Sequence, residues 1–354
     1  MINLLYIVSG TLVLVLIILL IIIFGYHLFI SFKEKKYKKY HDKWEPVIDR
    51  YLNKEYSLEE TAANFNKKYN ILYRFFKPYL INLDGKKFYR LKELIKELKL
   101  NDFFLEKLKN GNNNEKIKAA TFLGIINEFR SLPYLKDLLK SDNDYLVNTS
   151  IRAIAEIGEK DLFLPVIKTI LSRTHLTYEA VTEIIIKFGE DICQYIITLL
   201  KKWLEGDFNF KEVFEVPEFQ IISLFIDVLG YFRYSPGVKI MENILKNSSN
   251  SEILIHIFKA LIKIKYPLDI DLKQYLFHED WVVRSQCAKF VGMIQDKKYV
   301  SELKQLVNDD KWWVKYYAAS SLWRIGEEKV LKSIIDDGEK GANISRYVLN
   351  RKSN

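Results

Sequence analysis

One spacing constrains this chain more than any other feature. With Val314 as position zero, the small residues Ala318 and Ala319 fall at +4 and +5, Leu322 at +8, Ile325 at +11 and Gly326 at +12. From Val283, thirty-one residues earlier, Cys287 and Ala288 occupy +4 and +5, Val291 +8, Gly292 +9 and Ile294 +11. The frame recurs from Ile253, Ile221, Thr177, Leu146 and Glu115, so successive origins lie 31, 31, 44, 32, 30 and 31 residues apart along the chain. Apolar residues at i, i+4, i+7, i+8 and i+11 make the buried stripe of an amphipathic helix. Small residues at +4 and +5 let a neighbouring helix approach closely. A shorter apolar-periodic segment follows each, from LPYLKDLL (132–139) to KVLKSII (329–335), after a glycine or polar turn such as IGEKD (157–161) that suits a positive φ. Acidic residues at 141–144, 278–280 and 308–310 precede first helices, where they cap free amides. No helix pair of this kind can bury both apolar faces alone. The spacing therefore predicts an all-α chain, an α-solenoid of about seven helical hairpins.

A second feature lies upstream. Residues 4–32 read LLYIVSGTLVLVLIILLIIIFGYHLFISF, carry no Asp, Glu, Lys or Arg, and include thirteen unbroken Leu, Ile, Val or Phe residues at 12–24. About twenty helical residues cross a hydrocarbon core ~30 Å thick. At roughly −0.3 to −0.6 kcal/mol each, the central thirteen contribute roughly −4 to −8 kcal/mol to insertion. A cleaved signal would have its basic residues before the apolar run and a small-x-small site after it; here the basic residues follow the run. Residues 1–32 are thus expected to be a transmembrane anchor. The next segment, KEKKYKKYHDK (33–43), holds six lysines against two acids. Positive charge stays on the cytoplasmic side, which predicts a single-pass protein of the cell membrane with its amino terminus outside and residues 33–354 in the cytoplasm. Lys33, Lys35, Lys36, Lys38 and Lys39 are the expected membrane-surface residues, drawn to anionic headgroups by about 1 kcal/mol each.

Charge distribution narrows the partners. The chain has a formal charge of +9, but from Gly111 onward thirty-four basic residues meet thirty-three acidic ones. A nearly neutral repeat region does not offer the basic groove that a phosphate backbone demands, so no nucleic-acid partner is expected. Cys193 and Cys287 are far apart and fall on expected helices, which suits buried thiols in a reducing compartment rather than a disulfide.

The organisation expected from these patterns is an anchor at 1–32, a juxtamembrane polybasic segment at 33–43, a helical linker and cap at 44–110, the repeat array at 111–337 and a carboxy-terminal cap at 338–354. In the linker, Ser57 and Glu60 have capping-box spacing. The single 44-residue interval contains KKWLEGDFNFKEVFEVPEFQ (201–220), an acidic and aromatic insertion. Insertions in repeat arrays map to loops, often on the working face. Trp203, Phe208 and Phe210 are therefore candidate partner-binding residues, with a self-packed loop covering the core as the alternative. Trp281, Trp312 and Trp313 stand at −2 and −1 of their repeats. They are expected to pack against the preceding repeat, and an exposed partner-binding ridge is the alternative.

Catalytic and ligand-binding signatures are missing. The five histidines, at 27, 41, 175, 256 and 278, show no metal-ligand spacing, and neither a phosphate-binding loop nor a nucleophile elbow is present. No catalytic residue, metal or cofactor is expected.

HEDWVVRSQCAKFVGMIQDKKYVSELKQLV (278–307) and DDKWWVKYYAASSLWRIGEEKVLKSII (309–335) resemble the short HEAT-like repeats of bacterial proteins. The segment 79–111 and the WWVK start at 312–315 are similar to bacterial membrane-anchored HEAT proteins with one amino-terminal span. GANISRYVLN (341–350) resembles a half-repeat cap. The resemblance implies a cytoplasmic scaffold for protein partners, not an enzyme, or alternatively a regulatory subunit of a membrane-associated envelope enzyme such as a glycosyltransferase. Two enzyme families use related repeats: glycosylases for alkylated DNA bases, whose acidic–tryptophan pocket Trp281, Trp312 or Trp313 could imitate, and bilin lyases.

Overall fold

The computed structural model describes residues 2–173 and 176–352. His175, Met1 and the last two residues of the expected cap lie outside them. Among the described residues every regular element is a helix. The chain divides into two compact units, residues 1–134 and 135–354.

The amino-terminal unit is organised by one long helix. Helix α1 (Ile2–Leu52) runs unbroken through both boundaries expected at 32/33 and 43/44. Its 51 residues extend about 77 Å at 1.5 Å per residue. The apolar side chains from Leu14 to Phe32 are exposed. Beyond the lysines the character reverses, and Trp44, Ile48 and Tyr51 are buried, the i, i+4, i+7 stripe of a helix packed on one side. Helices α2 (Leu58–Ala63), α3 (Tyr69–Asn82) and α4 (Gly85–Glu97) receive that stripe. Trp44 meets Phe65 and Phe75 with ring centroids 5.1 and 5.5 Å apart. Arg90 donates to the Tyr51 carbonyl at 2.7 Å, and the Tyr51 hydroxyl donates to the Arg90 carbonyl at 3.0 Å. The capping box forms: Ser57 Oγ accepts from the Glu60 amide at 3.2 Å, and the Glu60 carboxylate accepts from the Ser57 amide at 2.8 Å. Helices α5 (Leu100–Asn110) and α6 (Asn113–Ile125) complete the unit, and α7 (Leu132–Leu138) begins at its edge.

The carboxy-terminal unit is a succession of helical hairpins. First helices α8 (Asp144–Ile157) and α10 (Tyr178–Ile186) alternate with second helices α9 (Phe163–Arg173) and α11 (Ile192–Glu205). After the one-turn α12 (Phe210–Val213), the pattern resumes with α13 (Glu218–Tyr231), α14 (Val238–Asn247), α15 (Ser251–Ile264) and α16 (Lys273–Leu276). It continues with α17 (Trp281–Ile294), α18 (Val300–Leu306), α19 (Trp312–Ile325) and α20 (Glu328–Asp336), and closes with α21 (Ala342–Lys352). Each first helix from α8 to α19 packs on the next, and α21 packs on α19 and α20. Within this unit the arrangement is a solenoid.

Backbone conformation shows the repeat independently of side-chain chemistry. Left-handed residues stand just past each first helix: Asn127, Gly158, Gly189, Arg233, Lys265, Gln295 and Gly326. Each lies twelve residues after an origin identified in the sequence, so the same six intervals reappear. A C′ residue with positive φ lets the last amides turn back onto the helix carbonyls. Glycine does this without strain, whereas the other four positions hold an L side chain there at a cost of about 1 kcal/mol.

Close helix approach also has a physical marker. A Cβ added to Gly292 would stand 2.2 Å from Ser321 Oγ, and one added to Gly230 would stand 2.8 Å from Ala260 Cα. Small residues thus meet across α17–α19 and α13–α15, at +9 of one repeat and +7 of the next. Ser321 Oγ donates to the Ala288 carbonyl at 2.7 Å in the first junction. One second helix is short: the segment DLKQYL (271–276) yields only Lys273–Leu276. Tyrosines supply the missing ties, with the Tyr275 hydroxyl donating to the Leu245 carbonyl at 2.8 Å and the Tyr299 hydroxyl accepting from the Leu272 amide at 2.9 Å.

Candidate functional site

Three places in the molecule carry the residues singled out by the sequence. The first is the α1 segment after the apolar run. Lys33, Lys35, Lys36, Lys38 and Lys39 are all exposed, while Tyr37 and His41 turn toward the unit and Trp44 is buried. Glu34, one of the two acids expected to dilute this charge, is engaged by Arg74 at 2.7 Å, and that bond holds its carboxyl below the usual range. The Arg74 guanidinium also lies 3.9 Å from the Tyr37 ring centroid. Beside this contact, α1, α3, α5 and α6 enclose an open cavity of about 890 Å³. Lys33, Arg74, Lys77, Lys107 and Lys118 line it with a single carboxylate, Glu115. Nothing in the repeat spacing signalled this cavity, because three of its four helices lie outside the repeat frame.

The second place is the outer face of α19. Trp312 and Trp313 are each 48% exposed, which corrects the expectation that they pack against the preceding repeat. Helix periodicity supplies the reason. At about 100° per residue, Val314, Ile325, Ala318, Leu322 and Ala319 occupy a sector from 0° to about 140°, whereas Trp312, Tyr316, Trp313 and Tyr317 fall between about 160° and 300°. The first set is buried; the second forms an aromatic row beside it, in the first two turns of the helix. Trp312 stacks on Tyr316 with centroids 5.2 Å apart and planes 5° apart, and Trp313 stacks on Tyr317 at 5.8 Å and 26°. Tyr347 of α21 extends the row at 6.2 Å from Tyr316, and Lys289 lies 5.0 Å from the Tyr317 centroid. Trp281, the corresponding residue of α17, is only half-exposed. Its neighbour Arg284 pairs with Asp309 at 2.9 Å in a largely buried bridge between repeats.

The third place is the insertion, and here the partner-binding expectation needs correction. Phe210 and Phe214 are buried. Phe210 stands 5.7 Å from Phe225 of α13, 5.1 Å from Phe208 and 6.4 Å from Trp203. The insertion therefore covers the core as a self-packed loop. Phe210 has no surface to offer, and Trp203 and Phe208 remain half-exposed at its rim.

One cluster of polar groups had no sequence signal. The Tyr178 hydroxyl donates to Asp227 Oδ2 at 2.9 Å, and His256 Nδ1 lies 2.9 Å from the same oxygen. The three residues come from α10, α13 and α15, with separations that belong to no motif. Burial and the Asp227 charge push the Tyr178 phenol far up, so it stays a proton donor at neutral pH. The cluster ties three successive first helices together. Both thiols are buried as expected; burial pushes Cys193 up to about 12 and Cys287 well above its ordinary value. Thiols this protonated are poor nucleophiles. Among the described residues no group of three or more His, Cys, Asp or Glu is placed to hold a metal ion.

Comparisons with known proteins bear on the fold. The family described as HEAT repeats matches residues 271–340, the segment from which the thirty-one-residue frame was read. No curated protein matches this chain. Among solved structures, the complex of CpcE and CpcF of phycocyanin lyase from Nostoc sp. PCC7120 is similar over 71% of this chain and 92% of the compared chain, at 14% identity and a TM-score of 0.25. A likeness at that score leaves the fold resting on the repeats themselves.

Proposed function

We propose that the protein is a single-pass membrane-anchored scaffold whose hairpin repeats lie in the cytoplasm and bind a protein partner. Under this reading residues 1–32 cross the bilayer, 33–43 lie against its headgroups, 44–110 brace the anchor, 111–337 display the binding surface and 338–354 close the array. The observation that carries the anchor is the two-sided character of α1. From Leu14 to Phe32 its apolar side chains are exposed, while the same unbroken helix is locked into folded structure by Trp44, Ile48 and Tyr51. Exposed aliphatic surface of this size is stable only in a non-aqueous surrounding. The lysines between the two parts favour the orientation with the repeats inside.

The surface that supports partner binding is the α19 aromatic face. Four rings stand on a helix whose opposite side is anchored in the core, so little ordering entropy is lost on contact, and Trp and Tyr dominate interface energetics. HEAT-type repeats use such rigid helical surfaces to bind other proteins. A photocrosslinking residue in place of the exposed Tyr347, at the end of the aromatic row, tests the reading in the full-length protein. Specific proteins should be captured by the native chain and lost from Trp312→Ala/Trp313→Ala at unchanged melting temperature. Capture of the same proteins by both would remove the aromatic face from the proposal.

A further inference from the structure

The cavity between α1, α3, α5 and α6 has a composition that scaffolding does not require. Five cations meet one carboxylate around an 890 Å³ space. Two of the cations are committed: Arg74 to Glu34, and Lys107 to Glu115, each at 2.7 Å. Lys33, Lys77 and Lys118 have no ion pair among the described residues. Like charges gathered in a concavity repel one another, and an anion entering it relieves that repulsion. The floor is aromatic. Tyr73 and Phe104 lie 5.2 Å apart, and Phe103 stacks on Tyr69 at 4.5 Å. A ligand that places a phosphate among lysines and rests apolar atoms on rings would satisfy both parts.

Position along α1 identifies its source. Lys33 and Tyr37 line the cavity and follow Phe32, the last residue of the apolar run, by one and five residues. At 1.5 Å per residue they sit about 2 to 8 Å beyond the end of the uncharged stretch. The headgroup layer on each face of a bilayer is roughly 5–7 Å deep. The cavity therefore opens on the side of the anchor where the lysine-rich segment meets the headgroup layer.

We propose that this cavity holds the phosphate of an anionic glycerophospholipid from the leaflet beneath it, with Lys33, Lys77 and Lys118 as its cationic contacts. The proposal rests on the membrane-anchored reading. It goes further than the attraction of a lysine-rich segment for a charged surface, because it assigns one lipid to one built site and places most of its contacts on α3 and α6.

Native mass spectrometry of the full-length protein, released from nanodiscs of one part phosphatidylglycerol to nine parts phosphatidylcholine, provides the test. The native chain should retain one phosphatidylglycerol in preference to the abundant zwitterionic lipid. Lys77→Ala/Lys118→Ala should lower that retention by roughly tenfold or more, since hydrogen bonds to a charged phosphate are the strong ones. Lys86→Ala/Lys109→Ala removes the same charge from exposed positions of the same unit outside the cavity, and should change retention less than twofold. Equal loss in both variants, or no preference in the native chain, would overturn the proposal. A parallel arm titrates glycerol 3-phosphate and inorganic phosphate; saturable binding of either without lipid retention would reassign the cavity to a soluble phosphate and overturn it too. Alkaline carbonate extraction separates the two levels. A chain that stays in the membrane but retains no anionic lipid refutes the cavity proposal alone, whereas a chain that washes out refutes the anchor and the lipid site together.

Discussion

The aromatic part of the insertion, 208–214, and the start of α19 at 312–317 are both dense in aromatic residues, yet the molecule treats them oppositely. Phe210 and Phe214 are buried, and Trp312 and Trp313 are exposed. Composition does not separate the two regions; the surface each can reach does. The insertion leaves α11 at the left-handed Gly206 and returns at Pro217, and its rings close over Phe225. The α19 rings ride on a helix whose buried side is already complete with Val314, Ala318, Ala319 and Leu322. An aromatic segment beside an open patch of core becomes a plug. The same residues outside a finished stripe are left in solvent.

Several substitutions would break or sharpen that contrast. The largest effect is expected from Ala319→Asp, in the buried stripe of α19. Its Cβ is fully buried, and an unpaired carboxylate there should cost on the order of 3–5 kcal/mol or prevent folding. An unchanged thermal midpoint would mean that the two faces of α19 are assigned the wrong way round. Phe210→Ala should cost about 3–5 kcal/mol in denaturant unfolding, as expected for a large ring removed from a core. A loss below about 1 kcal/mol would turn the insertion back into a surface loop.

Smaller effects follow at the end of the same helix. Gly326 has φ +88°, so Gly326→Ala should destabilise by about 1 kcal/mol. Gln295→Gly at the equivalent position of α17 should stabilise by up to about 1 kcal/mol. Opposite signs measured by chemical denaturation would confirm that the two sites are structurally equivalent. Trp312→Ala and Trp313→Ala should each change stability by no more than about 0.5 kcal/mol while abolishing crosslinked partner recovery. Destabilisation comparable to Phe210→Ala would show that the rings pack as the insertion does.

Much of the architecture was legible because it repeats. Seven origins with one spacing fixed the hairpins, and the left-handed residues reproduce that spacing even where Arg233, Lys265 and Gln295 replace glycine. The Ser57–Glu60 capping box and the buried thiols were also readable from local pattern. The exposure of Trp312 and Trp313 was partly legible as well, since helical angle puts both outside the sector of Val314, Ala318 and Leu322. Two features were beyond reach. The Tyr178–Asp227–His256 cluster depends on three helices meeting at a register that no spacing encodes. The cationic cavity depends on how α3 and α5 pack around α1, outside the repeat frame, where single charged residues look like ordinary solvated lysines.

The central claim is that α1 spans a bilayer and holds the repeats in the cytoplasm, and one labelling experiment reaches it directly. Cys193 and Cys287 are buried, so a single cysteine introduced by Lys311→Cys reports its own compartment to a membrane-impermeant maleimide. The expected result is a chain that resists alkaline extraction from membranes and is labelled only after the cells are permeabilised. Labelling of intact cells, or release of the chain into the soluble fraction, would contradict it.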